Sequence, residues 1–197
     1  MENTNKEKIG LFFGSFNPVH VGHLIIANYM ATQTDLSQVW LVVSPQNPLK
    51  NKRTLANDYD RLHLVKVAVE DSPDLKVSNV EFNLPKPSYT IDTLVYLKER
   101  YPDKDFVLIM GGDNLLTFPK WKNYEILLRD YQVYVYTRPD YPATEMAEHP
   151  SVRMFSEVPL MQISASYIRN CLQSGKSVRY LVPEAVFKSL MESHLYQ

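Results

Sequence analysis

Two histidines three positions apart, His20 and His23, lie in the string Gly14-Ser15-Phe16-Asn17-Pro18-Val19-His20-Val21-Gly22-His23-Leu24. The string follows a strand-like run, Ile9–Phe13, and leads into a helix-like run from Leu24 to Met30. A glycine turn between a strand and a helix presents backbone N–H groups and a helix N-terminus at the end of a sheet, where phosphates bind well. Imidazoles at i and i+3 share one face of the first helical turn, so both can donate to phosphate oxygens. Gly14 and Ser15 are small enough for close backbone approach to an anion, Pro18 stiffens the loop, and Gly22 leaves room between the rings. The chemistry expected is a nucleoside triphosphate held for reaction. A surface histidine beside a capping one explains either residue alone, but it does not explain the whole string at this junction.

A second anion site is expected at Ile163-Ser164-Ala165-Ser166-Tyr167-Ile168-Arg169. Both serines are helix N-cap types, and Arg169 falls on the first turn of the helix that follows. Hydroxyl, free N–H groups and guanidinium would converge there on one anion, although capping with a solvated arginine explains the string equally well when taken alone. Further groups lie after other strands. Asp113 follows Gly111-Gly112 and suits ribose hydroxyls or a helix N-cap. Thr90, in Pro87-Ser88-Tyr89-Thr90, opens a helix whose free N–H groups can meet a carboxylate. Trp121, in Phe118-Pro119-Lys120-Trp121, offers a flat face for a pyridine ring or else packs as a half-buried core residue. Arg138 either faces an acceptor or is solvated before Pro139, and Lys50 lies in the loop after the second strand.

Positioning these groups requires a frame. Strands are expected at Ile9–Phe13, Val39–Ser44, Lys76–Ser78, Phe106–Met110, Gln132–Thr137 and Val152–Phe155. Helices are expected at Gly22–Thr32, Ala56–Asp71, Thr90–Tyr101, Tyr124–Arg129, Ser166–Ser174 and Pro183–Ser193. Strand–helix alternation predicts an α/β, Rossmann-like, doubly wound and mainly parallel sheet with helices on both faces. Ligands bind beyond the carboxyl ends of such strands at the switch point, which is where the loops Gly14–His20, Ser44–Arg53 and Gly111–Asp113 fall. Residues 1–197 are expected to form one domain, with about 176–197 as a small C-terminal helical part. Thr137–Pro150 reads as a long surface loop. The stripe Leu62–Val69 reads as core.

The 197 residues carry a net charge of −1, which offers no bulk attraction for nucleic acid or membrane. The single cysteine, Cys171, excludes an internal disulfide and a multi-cysteine zinc site. No apolar run is long enough to span a bilayer, and the polar Met1–Lys8 lacks the core of a signal peptide, so a cytoplasmic protein is expected. Oligomeric state stays open, a homo-oligomer included. His63, His149 and His194 show no partner pattern.

The pattern G-x-F-x-P-x-H-x-G-H at Gly14–His23 resembles that of the nucleotidyltransferase superfamily, and Ile163–Arg169 resembles its I-S-x-x-x-I-R signature. G-x-G-x-x-G is missing after the first strand, so an ordinary dehydrogenase is not indicated. The R-T-x-G-I-S-T-T string of the cytidylyl branch is also absent. Pro87-Ser88-Tyr89-Thr90, Gly111–Leu115 with Phe118–Trp121, and Arg138-Pro139-Asp140-Tyr141-Pro142 resemble bacterial nicotinate mononucleotide adenylyltransferases, a likeness that runs from Ile9 to Tyr196. It implies transfer of AMP from ATP, with Mg²⁺, to nicotinate mononucleotide. It further implies ATP contacts at Gly14, Ser15, Phe16, His20, His23, Lys50, Gly111, Asp113, Ile163, Ser164, Ser166 and Arg169. The mononucleotide would meet Asn17, Thr90, Trp121, Lys122 and Arg138, with backbone N–H groups near Thr90 and Trp121 on its carboxylate. His20, His23 and Arg169 would be catalytic, His23 assisting the leaving group, and no residue is assigned to metal.

Two positions depart from the family pattern. Leu49 stands where Pro-His-Lys is usual, and Lys122 stands where tyrosine is common. The Lys122 charge is expected either to favour nicotinate over nicotinamide or simply to face solvent. Competing readings are a relative with another acceptor and a nucleotide sensor without catalysis, against which the retained His20, His23, Ser166 and Arg169 argue.

Overall fold

Strand β1 (Glu7–Gly14) sends alternate residues to opposite sides of the sheet. Phe12 joins one core cluster, whereas Ile9 and Leu11 join another. The same alternation runs through β2 (Gln38–Val43), β4 (Lys104–Gly111) and β5 (Gln132–Tyr136): Val39, Leu41, Val107, Ile109, Tyr134 and Tyr136 face the first cluster, and Val42, Phe106, Leu108, Val133 and Val135 face the second. Strands that are apolar on both faces need cover on both faces, which is the situation of a buried parallel sheet.

The computed structural model describes residues 6–45, 55–139, 141 and 144–197. With β3 (Leu75–Ser78) and β6 (Val152–Phe155), the strands form one six-stranded sheet in the order 3-2-1-4-5-6. Every described pairing is parallel, so the sheet is parallel throughout rather than mainly so. Helices α1 (Val21–Thr32), α2 (Asp58–Val69), α6 (Ala165–Gln173) and α7 (Glu184–Ser193) supply residues to the first cluster. Helices α3 (Thr90–Arg100), α4 (Gly112–Thr117) and α5 (Tyr124–Asp130) supply the second. Val186 and Leu190 of α7 belong to the cluster that holds Phe12, so the C-terminal helical part shares the main core.

Several boundaries differ from expectation for local reasons. Helix α2 starts at Asp58 instead of Ala56 because Asn57 caps it, its side chain accepting the Tyr59 N–H at 2.9 Å. Helix α6 starts at Ala165 because Ser164 is its cap. Of the segment expected as a loop at Gly111–Asp113, Gly111 ends β4 and the other two residues start α4, a six-residue helix too short for its periodicity to show. A 3-10 turn at Glu145–Glu148 interrupts the surface loop expected at Thr137–Pro150.

Strand β1 pairs with both β2 and β4, in registers that bring Gly14 opposite Val43 and Phe12 opposite Ile109. The chain runs outward from β1 to β3 and then returns to β4, so the loops after β1 and β4 leave the sheet in opposite directions and open a crevice at its centre. The packing of β1 is tightest at Gly10, where an added Cβ would stand 2.6 Å from Ile109 Cδ1 and 2.7 Å from Leu36 Cδ1. Gly10→Ala is therefore expected to cost about 1–3 kcal/mol by overpacking. Thermal unfolding should show Tm lowered by roughly 2–10 °C; an unchanged Tm would mean that both neighbours yield freely.

Candidate active site

The turn from β1 into α1 places both histidines. His20 is the N-cap of α1, with extended backbone at φ −145° and ψ 168°. Its N–H donates to His23 Nδ1 at 3.3 Å, which leaves that nitrogen without a proton and assigns the proton of neutral His23 to Nε2. The two rings stack with centroids 3.7 Å apart. His20 is only 6 % exposed. Burial, reinforced by the positive charge of Arg138, lowers its pKa from 6.5 to about 4, so the ring is neutral near pH 7. Phe16 has φ 44°, and a Cβ on Gly14 would lie 2.7 Å from its ring. Gly14 is thus required by the folded-back Phe16 ring. That ring is buried, edge-on to Phe12 and His23, so Phe16 can serve a nucleotide only through its backbone.

Helix α6 meets this turn from a distant part of the chain. Ser164 Oγ accepts the Tyr167 N–H at 3.2 Å, while Ser166 lies inside the first turn and is not a cap. Arg169 donates from Nη2 to Ser166 Oγ at 3.2 Å and from Nη1 to the Asn17 carbonyl at 2.7 Å. Ile163 packs against the first core cluster. Asn17 is buried, and its Oδ1 accepts from the Ala56 N–H at 3.1 Å and the Tyr196 hydroxyl at 2.6 Å. That oxygen ties the turn to α2 and to the C-terminal segment.

Across the crevice, Gly111 is the N-cap of α4, and an added Cβ there would stand 2.4 Å from Asp113 Oδ1 and 3.0 Å from the Tyr136 hydroxyl. Asp113 therefore sits in the first turn of α4, with Arg138 Nε 3.4 Å from its Oδ1. The Arg138 guanidinium lies 5.6 Å from the centre of the Tyr136 ring, and burial pushes that phenol up. Thr90 is the first residue of α3. The Trp121 indole is half-buried, edge-on to Phe118 at 5.3 Å. Lys122 Nζ pairs with Asp92 at 2.9 Å and lies 4.7 Å from the Tyr89 ring centre. Its charge is matched by a carboxylate on α3.

Five buried side-chain atoms in the described residues find no hydrogen-bond partner: His20 Nδ1, Ser88 Oγ, Asp113 Oδ1, Trp121 Nε1 and Thr144 Oγ1. The first four belong to the motifs singled out from the sequence. Buried polar atoms without a hydrogen bond are rare, and of these Asp113 Oδ1 keeps only the Arg138 ion pair. The described residues contain no group of three or more His, Cys, Asp or Glu able to hold a metal ion. Lys50 and Leu49 lie outside the described residues.

Sequence reasoning missed Tyr136, which floors the crevice between Gly111 and Arg138. It also missed Glu81, a buried carboxylate that accepts the Thr93 hydroxyl at 2.9 Å; burial raises its pKa against hydrogen bonds from Ser44 and Thr93. An acidic residue in the apolar context of Val80-Glu81-Phe82 was the available signal.

A parallel sheet in this order, with an H-x-G-H turn on β1 and an I-S-x-x-x-I-R helix start brought against it, defines a nucleotidyltransferase. Residues 11–171 match the cytidylyltransferase-like family. A relative from Cytophaga hutchinsonii, described as a probable nicotinate-nucleotide adenylyltransferase, is 52% identical and covers 96% of this chain and 98% of its own. One from Flavobacterium psychrophilum with the same description is 48% identical over 96% and 99% of the two chains. Plasmodium falciparum nicotinic acid mononucleotide adenylyltransferase in complex with NaAD superposes with a TM-score of 0.82 at 18% identity, covering 96% of this chain and 97% of that one, a likeness of fold. The chain belongs to the nicotinate-nucleotide adenylyltransferase family of cytidylyltransferase-like proteins.

The depressed pKa of His20 has a thermodynamic consequence. Between pH 6.5 and about 4 the unfolded chain binds a proton at this histidine that the folded chain refuses. Stability from this group is therefore full above pH 6.5 and falls as the pH drops toward 4, by up to about 3 kcal/mol. Urea unfolding of the wild type and His20→Asn between pH 4 and 7 should show a shallower acid slope in the variant; parallel slopes would mean that His20 titrates normally.

Proposed function

We propose that the crevice between the ends of β1 and β4 is where this adenylyltransferase joins ATP to nicotinate mononucleotide, releasing pyrophosphate and nicotinate adenine dinucleotide for NAD biosynthesis. The observation that carries the assignment is Arg169 on the Asn17 carbonyl, which brings the second anion-binding string against the turn that bears His20 and His23. Two helix starts with imidazole, hydroxyl and guanidinium donors around one space suit a long polyphosphate. Within it, His23 donates from Nε2, and Ser166 and Arg169 hold the far phosphates. His20, kept neutral, binds without adding charge at the acceptor side, where Arg138 supplies it.

The acceptor side uses the remaining groups. Asp113 accepts ribose hydroxyls. Trp121 stacks on the pyridine ring, and N–H groups at the start of α3 and near Trp121 hold the carboxylate. Lys122 draws these two segments together through Asp92, an exposed pair worth about 0–1 kcal/mol. The mononucleotide phosphate, already ionised near neutral pH, attacks the α-phosphorus in line; a P–O bond forms, the bond to the β-phosphate oxygen breaks, and pyrophosphate leaves. No covalent enzyme intermediate is needed, and the protein contributes positioning and charge stabilisation. A Mg²⁺ ion accompanying ATP would supply charge neutralisation at the triphosphate, and Asp113 is the crevice carboxylate that would be available to it.

No helix of the described residues is long and apolar enough to cross a membrane. We place the enzyme in the cytoplasm as a single catalytic domain, with the shared core of α1, α2, α6 and α7 supporting that division.

His23→Ala and Arg169→Ala should each lower kcat about 10²–10³-fold, the scale for losing one preorganised donor to developing charge. Near-normal kcat in steady-state assays of dinucleotide formation would remove that residue from the mechanism. Trp121→Ala should raise KM for nicotinate mononucleotide with kcat nearly constant, as expected when uniform binding is lost; an unchanged KM would leave Trp121 as a packing residue.

A further inference from the structure

Arg61 is fully buried, and its guanidinium serves three separate segments of the chain. Nε donates to the Ala56 carbonyl at 3.0 Å, and Nη2 donates to Asp58 Oδ1 at 2.6 Å. Nη1 donates to the carbonyls of Ser15 and, at 2.9 Å, Ser44. Ser15 lies in the turn after β1, Ser44 directly follows β2, and Ala56 and Asp58 flank the start of α2. Ser44 N–H also donates to the Gly14 carbonyl at 2.9 Å, closing the arrangement.

Three of the four acceptors are backbone carbonyls, which an alkyl side chain could not orient. A buried cation with one carboxylate partner is costly, and exchange for apolar residues is often neutral or stabilising, so stability alone is a poor reason for it here. Geometry offers a better one. The peptide joining Ser15 and Phe16 is trans, so a carbonyl held by Arg61 points the Phe16 N–H the opposite way. Phe16 itself has a left-handed φ of 44°, so the chain turns sharply at this peptide. Arg169 takes the Asn17 carbonyl of the same turn. Two guanidinium groups thus occupy carbonyl oxygens of one loop.

We propose that Arg61 is a positioning residue for adenylyl transfer: by holding the carbonyls of Ser15 and Ser44 behind the phosphate loop, it turns the Phe16 N–H toward the ATP triphosphate. The proposal rests on the reading that this loop binds the triphosphate. Arg61 touches no substrate and acts through the loop.

The test is Arg61→Lys, which keeps the charge but replaces the planar fork by a point donor unable to span all four acceptors. Activity is expressed per folded molecule, with the folded fraction taken from circular dichroism. Expected is a fall in kcat of about 10²-fold, the scale of a 1 Å misplacement, with KM for nicotinate mononucleotide within about 2-fold of wild type. A lowered Tm with wild-type kcat per folded molecule would reduce Arg61 to a structural residue and overturn the proposal. Where Arg61→Lys fails to fold, Asp58→Asn leaves the arginine in place without its charged partner and should lower kcat several-fold with the same KM pattern; wild-type constants there overturn the proposal as well. His23→Ala run alongside separates the two levels. If His23→Ala also keeps full kcat, the reading of the loop falls and takes this proposal with it. If His23→Ala loses activity and Arg61→Lys does not, only the role of Arg61 falls.

Discussion

The double pairing of β1, parallel to β2 on one side and to β4 on the other, is the constraint on which the remaining geometry depends. Parallel neighbours require crossovers, and crossovers on both faces require strands that are apolar on both sides. Ile9, Leu11 and Phe12 meet that demand with residues of suitable size, and Gly10 meets it by leaving space for Ile109 and Leu36. Once β1 is central, the chain must leave its carboxyl end in one direction and that of β4 in the other. The turn at Gly14–His20 and the start of α4 then face each other without further instruction.

Charge is distributed across this crevice with care for protonation. His20 is buried and held neutral by burial and by Arg138, while Arg138 itself lies against Asp113. Two guanidinium groups, Arg138 and Arg169, lie on this crevice, and His23 stands between them in a tautomer fixed by the His20 N–H. Near neutral pH His20 therefore adds no charge of its own to the crevice.

The long elements were readable in the sequence because each repeats its apolar pattern for several turns or pleats. The six strands and six longer helices fall close to where alternation and periodicity put them. Short elements were not readable: α4 has only six residues, and its glycine start reads as a loop. At the site, the histidine turn and the Ser164–Arg169 string carried their chemistry in local order, and the structure brings them together. What stayed hidden was long-range. Arg61 occupies a buried position beside Leu62 and Val65, where a charged residue reads as surface. Asn17 gave no sign of its partners Ala56, Arg169 and Tyr196, which are up to 179 positions away. No spacing rule connects such residues before the chain has folded.

The hydrogen bond from Tyr196 to Asn17 has a kinetic and a thermodynamic side. Contacts of such sequence separation are expensive in chain entropy and tend to form late, so the turn written at residues 14–20 acquires its final support only when the segment after α7 has docked. Linkage then runs in both directions: whatever binds the turn in its supported form also favours docking of that segment, by the same free energy. On the proposed reading of this turn as the triphosphate site, nucleotide and C-terminal segment are two ligands of one loop, and occupancy by the first holds the second in place.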